Sequence, residues 1–355
     1  MKNPTSSNEQ WAALAFSRFV LATCVLMTHS GIVAPNDFFA RHFWGTGYPA
    51  VFGFFMISGY SIAASLASRP DGYFARRVRR IYPTYLCALA LSVLILIPHP
   101  LRLPQGQLLI LDDWKTILFN VFMLQGIASE SVTANGAIWS LSIEWWCYML
   151  AMVLVRVGAR WTVALIAISF ASLMVYMHHH GLLFGDSDMP RFGVPLLTLA
   201  WGWLTGFLFY RQRSVFTFAL MLLLPLLMFE RGIRLPLSSL VIAASAVIVY
   251  FAKDLRVRNR SLARTMQWLG DMSYPLYLFH PPLLFALSSH GIIRDGNVMV
   301  VAILAIVSCG YFVGCRVMNG LAAVFGVKRD KMHTPSVSLL DTWPATTADS
   351  KSSTR

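Results

Sequence analysis

The sequence predicts an all-α polytopic membrane protein of about ten transmembrane helices, with both termini in the cytoplasm. Three observations predict it. Of 355 residues, 56% are apolar and only 13% charged, whereas roughly a quarter are charged in an average soluble domain. Mean hydropathy is +0.59, and no long polar domain offsets the apolar runs. Several of those runs reach the roughly 17–25 residues that a helix needs to cross about 30 Å of hydrocarbon. Such a composition excludes a disordered chain, a coiled coil and a soluble α/β enzyme.

The expected spans are 11–31, 46–67, 81–98, 137–157, 161–178, 195–211, 214–229, 237–252, 274–290 and 298–318. The first follows the polar stretch MKNPTSSNEQ, and no A-x-A-like cleavage site comes after it, so it reads as a retained span rather than a signal peptide. The run 115–128 is too short to read plainly as a crossing, and a re-entrant or interfacial helix is the alternative. Residues 1–10 form a cytoplasmic N-terminus and 11–329 the membrane domain. Residues 330–355, polar and rich in Ser and Thr, read as a disordered cytoplasmic tail.

The net charge of +13 and pI of 9.8 suggest a nucleic-acid partner at first sight. Their distribution says otherwise. With ten crossings and the N-terminus inside, 20 of the 29 Lys and Arg residues fall on inner segments and seven on outer ones, while Arg18 and Arg316 lie within spans. Basic residues gather on the cytoplasmic side of membrane proteins. The bias therefore supports cytoplasmic termini, argues against 115–128 as a crossing, and leaves no basic patch for nucleic acid. The five cysteines lack CxxC spacing and read as small buried hydrophobes, with neither a zinc site nor a disulfide framework.

Ionisable residues inside spans are costly, so each is a functional candidate. Arg18 and His29 lie 11 residues apart in the first span. At about 100° per residue that returns to within roughly 20° of the same face, about 16 Å along the axis. They mark two depths of one polar track, although an interfacial histidine and a structural arginine explain the spacing equally well. Glu144 is the carboxylate well inside a predicted span, at a depth expected to be close to that of His29. It suits orienting that imidazole or binding an acceptor hydroxyl. Arg76, Arg77, Arg79 and Arg80 form two overlapping Arg-x-x-Arg pairs in the loop after span two. Guanidinium forks three residues apart on a helix suit phosphate, and a topogenic cluster touching anionic lipid is the plainer reading. Trp139 and the aromatics after it could stack on a sugar ring or serve as an interfacial belt. Ser58, with Gly53 and Gly59, reads first as small-residue helix packing. Tyr277 and His280 sit on span nine beside Pro281 and Pro282, where a kink would open backbone groups to a cavity. Ser140 completes the acceptor-side candidates. The run His178–His180, with Asp186 and Asp188, points its side chains in different directions, so no metal is expected.

Taken in order, Arg18-x10-His29, FFMISGYS (54–61), RRVRRIYP (76–83), WSLSIEWW (139–146) and SYPLYLFHP (273–281) resemble the acyltransferase-3 family of integral membrane acyltransferases. The resemblance implies transfer of an acetyl or other short acyl group from cytoplasmic acyl-CoA to a hydroxyl. That makes acetyl-CoA a donor substrate rather than a resident cofactor. The implied acceptor is a carbohydrate such as a surface polysaccharide or lipid-linked glycan, or alternatively a small molecule such as a macrolide. It implies a bacterial cytoplasmic (inner) membrane location, His29 and Arg18 as the essential first-helix pair, and the Arg-x-x-Arg pairs as the CoA phosphate site. The main rival from the residues alone is a proton-coupled secondary transporter using His29 and Glu144. Neither inverted repeats nor paired Gly/Pro-broken spans support it.

Overall fold

A computed structural model describes residues 5–180, 192–232 and 236–324. Twelve helices follow in order: α1 Thr5–Ser30, α2 Phe38–Phe43, α3 Gly47–Ser68, α4 Tyr73–Leu94, α5 Trp114–Val121, α6 Trp139–Leu154, α7 Ala159–His180, α8 Val194–Arg211, α9 Val215–Gly232, α10 Pro236–Phe251, α11 Arg260–Ser289 and α12 Gly296–Val324. A two-stranded antiparallel hairpin pairs Leu101–Arg102 with Leu108–Leu109, and a 3₁₀ turn, Thr133–Ile138, leads into α6. The chain is thus an all-α membrane protein with one small hairpin.

Ten of these helices have sixteen residues or more, and each overlaps one expected span. Five of the resulting segments are both long and apolar enough to cross a bilayer: Trp11–Ser30, Gly47–Ser68, Thr133–Leu154, Ala159–His180 and Gly296–Gly314. Within the apolar run 115–128, α5 supplies eight helical residues, about 12 Å of rise. That is far short of the hydrocarbon core. Asp113 caps it by accepting from the Thr116 backbone N–H at 2.6 Å. That bond holds the exposed Asp113 carboxyl below the usual carboxylate range.

Two boundaries differ from the sequence expectation. Helix α4 begins at Tyr73, eight residues before the expected span, so the arginine cluster lies on helix and not in a loop. Helix α11 begins at Arg260, because the Asn259 side chain accepts from the N–H groups of Ser261 and Leu262 and caps it. In both cases the first turns are too polar for lipid but continue the same helix beyond it. The tail 330–355, along with Asp186 and Asp188, lies outside the described residues.

Helix α3 is the central element, with nearly every side chain from Pro49 to Leu66 buried. Of its spanning window 89% is buried, against 28% for α12. Small residues make this possible. A Cβ on Gly59 would stand 2.0 Å from the Trp203 carbonyl oxygen, and one on Gly206 2.0 Å from that of Met56. The backbones of α3 and α8 therefore touch, as small-residue interfaces allow in lipid. Helices α1 and α11 cross as closely at Gly270, where a Cβ would meet Ala15 at 2.5 Å. Two cysteines depart from the buried expectation: Cys24 and Cys147 are buried, whereas Cys87 and Cys309 are exposed on α4 and α12. Exposure to lipid costs a thiol little.

Candidate active site

Helices α1, α3, α4, α6 and α11, with Tyr311 of α12, enclose a cavity of about 200 Å³. Three guanidinium groups converge on it, from Arg18, Arg77 and Arg80, together with the carboxyl groups of Glu144 and Asp271. Arg18 donates to Ser61 Oγ at 2.7 Å. Ser61 is three residues beyond Ser58 and so shares its helix face. The sequence carried that signal, yet reading it requires knowing which face of α3 meets α1.

The four clustered arginines divide by helix face. Arg77 is 4% exposed. It donates to Ser65 Oγ at 2.8 Å and stacks over the Tyr73 ring, while its Nε has no hydrogen-bond partner. Arg80, one turn on, lines the same cavity. Arg76 instead donates to the backbone carbonyls of Asp71 and Arg69, closing the turn before α4. Arg79 is exposed and does not line the cavity. The pair facing the cavity is Arg77/Arg80, and the overlapping pair Arg76/Arg79 is turned away.

Glu144 is held differently from the sequence expectation. Its Oε1 accepts from both Ser58 and Tyr148, and Trp203 Nε1 donates to Ser58 Oγ at 3.3 Å. None of these bonds reaches His29. The aromatics near it form no common platform. Trp139 packs beside Tyr48, Trp145 against Tyr82 and Phe74, and Trp146 donates to the Met123 carbonyl at 3.0 Å. Helical spacing turns them to different neighbours.

The far end of the cavity is formed by Phe54, Ser140 and Tyr277. Tyr277 Oη lies 2.7 Å from Ser140 Oγ and donates to the Ala137 carbonyl at 3.0 Å. Its ring packs edge-on against His280, with centroids 5.9 Å apart. His280 is fully buried, and its Nε2 lies 2.8 Å from His29 Nδ1. The two imidazoles meet edge to edge in nearly one plane, with centroids 5.0 Å apart and an interplanar angle of 23°, as an N–H···N bond requires. His29 is half-buried and does not line the cavity, so Tyr277 and His280 stand between it and the guanidinium cluster.

Helix α11 carries both residues through Pro281 and Pro282 without a break. Proline at 282 removes the N–H that would serve the Leu278 carbonyl. Asn135 Nδ2 replaces it at 2.9 Å, and also donates to Ser92 Oγ at 3.2 Å. Asn135, missed from sequence, stands there beside Gly136 just after the polar residues Ser129, Glu130, Ser131 and Thr133, where nothing marks it out. Among the described residues, no cluster of three His, Cys, Asp or Glu side chains could hold a metal.

Residues 11–317 match the family described as an acyltransferase domain, acyltransferase-3. The chain belongs to the acyltransferase-3 family. The matched region contains every site residue named above. Two curated relatives are similar over part of the chain. One, from Acidianus two-tailed virus, carries the name "Putative acetyltransferase ORF330". It is 23% identical over 223 residues, covering 59% of this chain and 64% of its own length. The other, the "O-acetyl transferase" of Shigella phage Sf6, is 33% identical over 152 residues, covering 39% of this chain and 44% of its own. The chain therefore matches less than two thirds of either relative's length. No solved structure matches this acyltransferase-3 protein.

Proposed function

We propose that this protein is a membrane O-acyltransferase that moves an acetyl or other short acyl group from cytoplasmic acyl-CoA to a hydroxyl of a carbohydrate acceptor. Family membership supports acyl transfer, and the name of the phage relative supports an oxygen acceptor. The observation that carries the reading is the cavity itself. Buried Arg77 and the more exposed Arg80 both line it, and so does Tyr277, whose ring abuts His280 of the His29–His280 pair. Phosphate groups suit the guanidinium end. The pantetheine arm would lie past Arg18 and bring its thioester to the imidazole end, a distance set by the roughly 16 Å separating Arg18 and His29 on α1.

In this reading His29 takes the acceptor hydroxyl proton as general base, as an imidazole near neutral pH can. The oxygen attacks the thioester carbonyl carbon, and the C–S bond breaks as the tetrahedral intermediate collapses. The imidazolium returns its proton to the departing sulfur, giving the ester and CoA thiol. Ten crossings with both termini in the cytoplasm of a bacterial inner membrane would put the donor end inside, consistent with the inward bias of basic residues. Transfer of radiolabelled acetyl from acetyl-CoA to glycan in membrane vesicles tests the assignment. His29→Ala should abolish it, and undiminished transfer would remove His29 from the mechanism. Solute movement without acylation would favour a transporter.

A further inference from the structure

We propose that His280 is a positioning residue that fixes the tautomer of His29, leaving His29 Nε2 as the atom that accepts the hydroxyl proton. The inference rests on the general-base reading above, and follows from a directional chain of hydrogen bonds. His280 Nδ1 lies 3.1 Å from the Leu276 carbonyl oxygen, one helical turn back. A carbonyl can only accept, so Nδ1 of His280 carries a proton. Neither ring has a carboxylate as hydrogen-bond partner among the described residues, and His280 is fully enclosed, a setting that suits a neutral ring. In a neutral imidazole with Nδ1–H, Nε2 bears the lone pair. His29 Nδ1, 2.8 Å from that lone pair, must then be the donor. His29 Nε2 is left unprotonated, on the one ring of the pair that retains exposure.

The chain Leu276 carbonyl, His280, His29 thus does for this imidazole what an orienting acceptor does for any histidine base: the partner of one nitrogen decides the state of the other. Without a partner, a neutral histidine side chain prefers the opposite tautomer, with the proton on Nε2, which cannot accept. The surroundings hold His280 in place. Tyr277 packs against its ring, Asn135 ties the Leu278 carbonyl on the next turn, and the ring itself is tied to Leu276.

The test uses the full-length protein in lipid nanodiscs with nitrogen-15-labelled histidine. In the wild type, neutral His29 should show a protonated Nδ1 and a bare Nε2. In His280→Leu it should shift to the Nε2–H tautomer, and kcat should fall by up to the roughly 10²–10⁴-fold that a positioned general base contributes, with the donor KM unchanged. His280→Gln, which keeps an acceptor near the Nε2 position, should recover most of that loss. His29→Ala should be inactive in either background. A His29 with Nε2 protonated in the wild type overturns the proposal without any variant, so misfolding of His280→Leu cannot shelter it. Full kcat in a folded His280→Leu protein overturns it as well. Activity retained by His29→Ala instead defeats the general-base reading on which it rests.

Discussion

The division of the arginine cluster by helix face makes a sharp quantitative prediction. Arg77 is enclosed and stacked on Tyr73, and its Nε lacks a protein partner. Arg79, two residues on, is exposed and off the cavity. Arg77→Lys keeps the charge and removes the planar fork, so it deletes one or two charge-assisted hydrogen bonds to a phosphate. Such bonds contribute about 1.5–3 kcal/mol each, and a buried site escapes the solvent screening that shrinks surface pairs. At 1.4 kcal/mol per decade, losing one bond weakens acetyl-CoA binding roughly 10- to 150-fold. Arg79→Lys should change it less than about twofold. Calorimetric titration of acetyl-CoA into purified wild-type and variant protein reads both numbers. S-acetylpantetheine, which carries no phosphate, provides the control and should bind both variants as it binds the wild type. Equal losses at Arg77 and Arg79 would refute the assignment by helix face. An Arg77→Lys penalty on S-acetylpantetheine matching that on acetyl-CoA would refute phosphate contact, because the defect would then be one of packing.

Four more outcomes follow from the packing and the polar contacts. Gly59→Ala forces α3 and α8 apart and should cost at least about 1–3 kcal/mol in thermal unfolding. Gly310→Ala, whose Cβ would meet nothing within 4 Å, should be silent, and equal effects would deny the close crossing. Ser58→Ala and Tyr148→Phe each remove one donor to Glu144, so a double-mutant cycle on stability should show coupling of about 0.5–3 kcal/mol. Additive losses would mean that they share no carboxylate. Asn135→Ala leaves the buried Leu278 carbonyl without its donor and should destabilise by about 1–3 kcal/mol, and an unchanged melting temperature would show that the proline gap needs no cap. A reporter fused after Lys331 should read as cytoplasmic, and a periplasmic reading would overturn the even number of crossings.

How far the site was legible in the sequence varies by residue. The helices were legible because lipid imposes length and hydropathy on each segment separately, and every long helix overlaps its expected run. Their polar extensions were not, since the first turns of α4 and α11 obey capping and water rather than lipid. Arg18 and His29 stood out for the same energetic reason, as ionisable groups in apolar runs. Their partners did not. Ser61 and His280 reach them across 43 and 251 residues of chain, and no local pattern encodes which helix faces which. Of the two roles offered for Glu144, orienting His29 has no hydrogen bond behind it in the structure. Depth along two helices was inferred from sequence, but azimuth was not, and azimuth turned Glu144 toward Ser58 and Tyr148.

Burial cost also explains how the polar groups are shared out. In a low-dielectric interior an unpaired donor or acceptor is penalised by about 1–3 kcal/mol, so buried polar atoms acquire partners unless something else supplies them. Arg18 has Ser61, Glu144 has Ser58 and Tyr148, and each imidazole has the other. Some buried atoms have no such partner, among them Asn135 Oδ1, Thr162 Oγ1 and Trp201 Nε1. Among the described residues, Arg77 is the cation with such an atom, and it lies at the wall of the cavity. That atom could be relieved by water or by an anionic ligand. The neighbouring guanidinium groups of Arg18 and Arg80 favour the anion, because three cationic side chains share the cavity lining with two carboxyl groups, Glu144 and Asp271, and leave a surplus of positive charge. In the proposed reading, an arriving anion would recover that electrostatic cost at the guanidinium side of the cavity. Behind Tyr277 lies an imidazole pair whose mutual hydrogen bond is already formed. The first arrangement suits a substrate that arrives and leaves, and the second a base that must be in position beforehand.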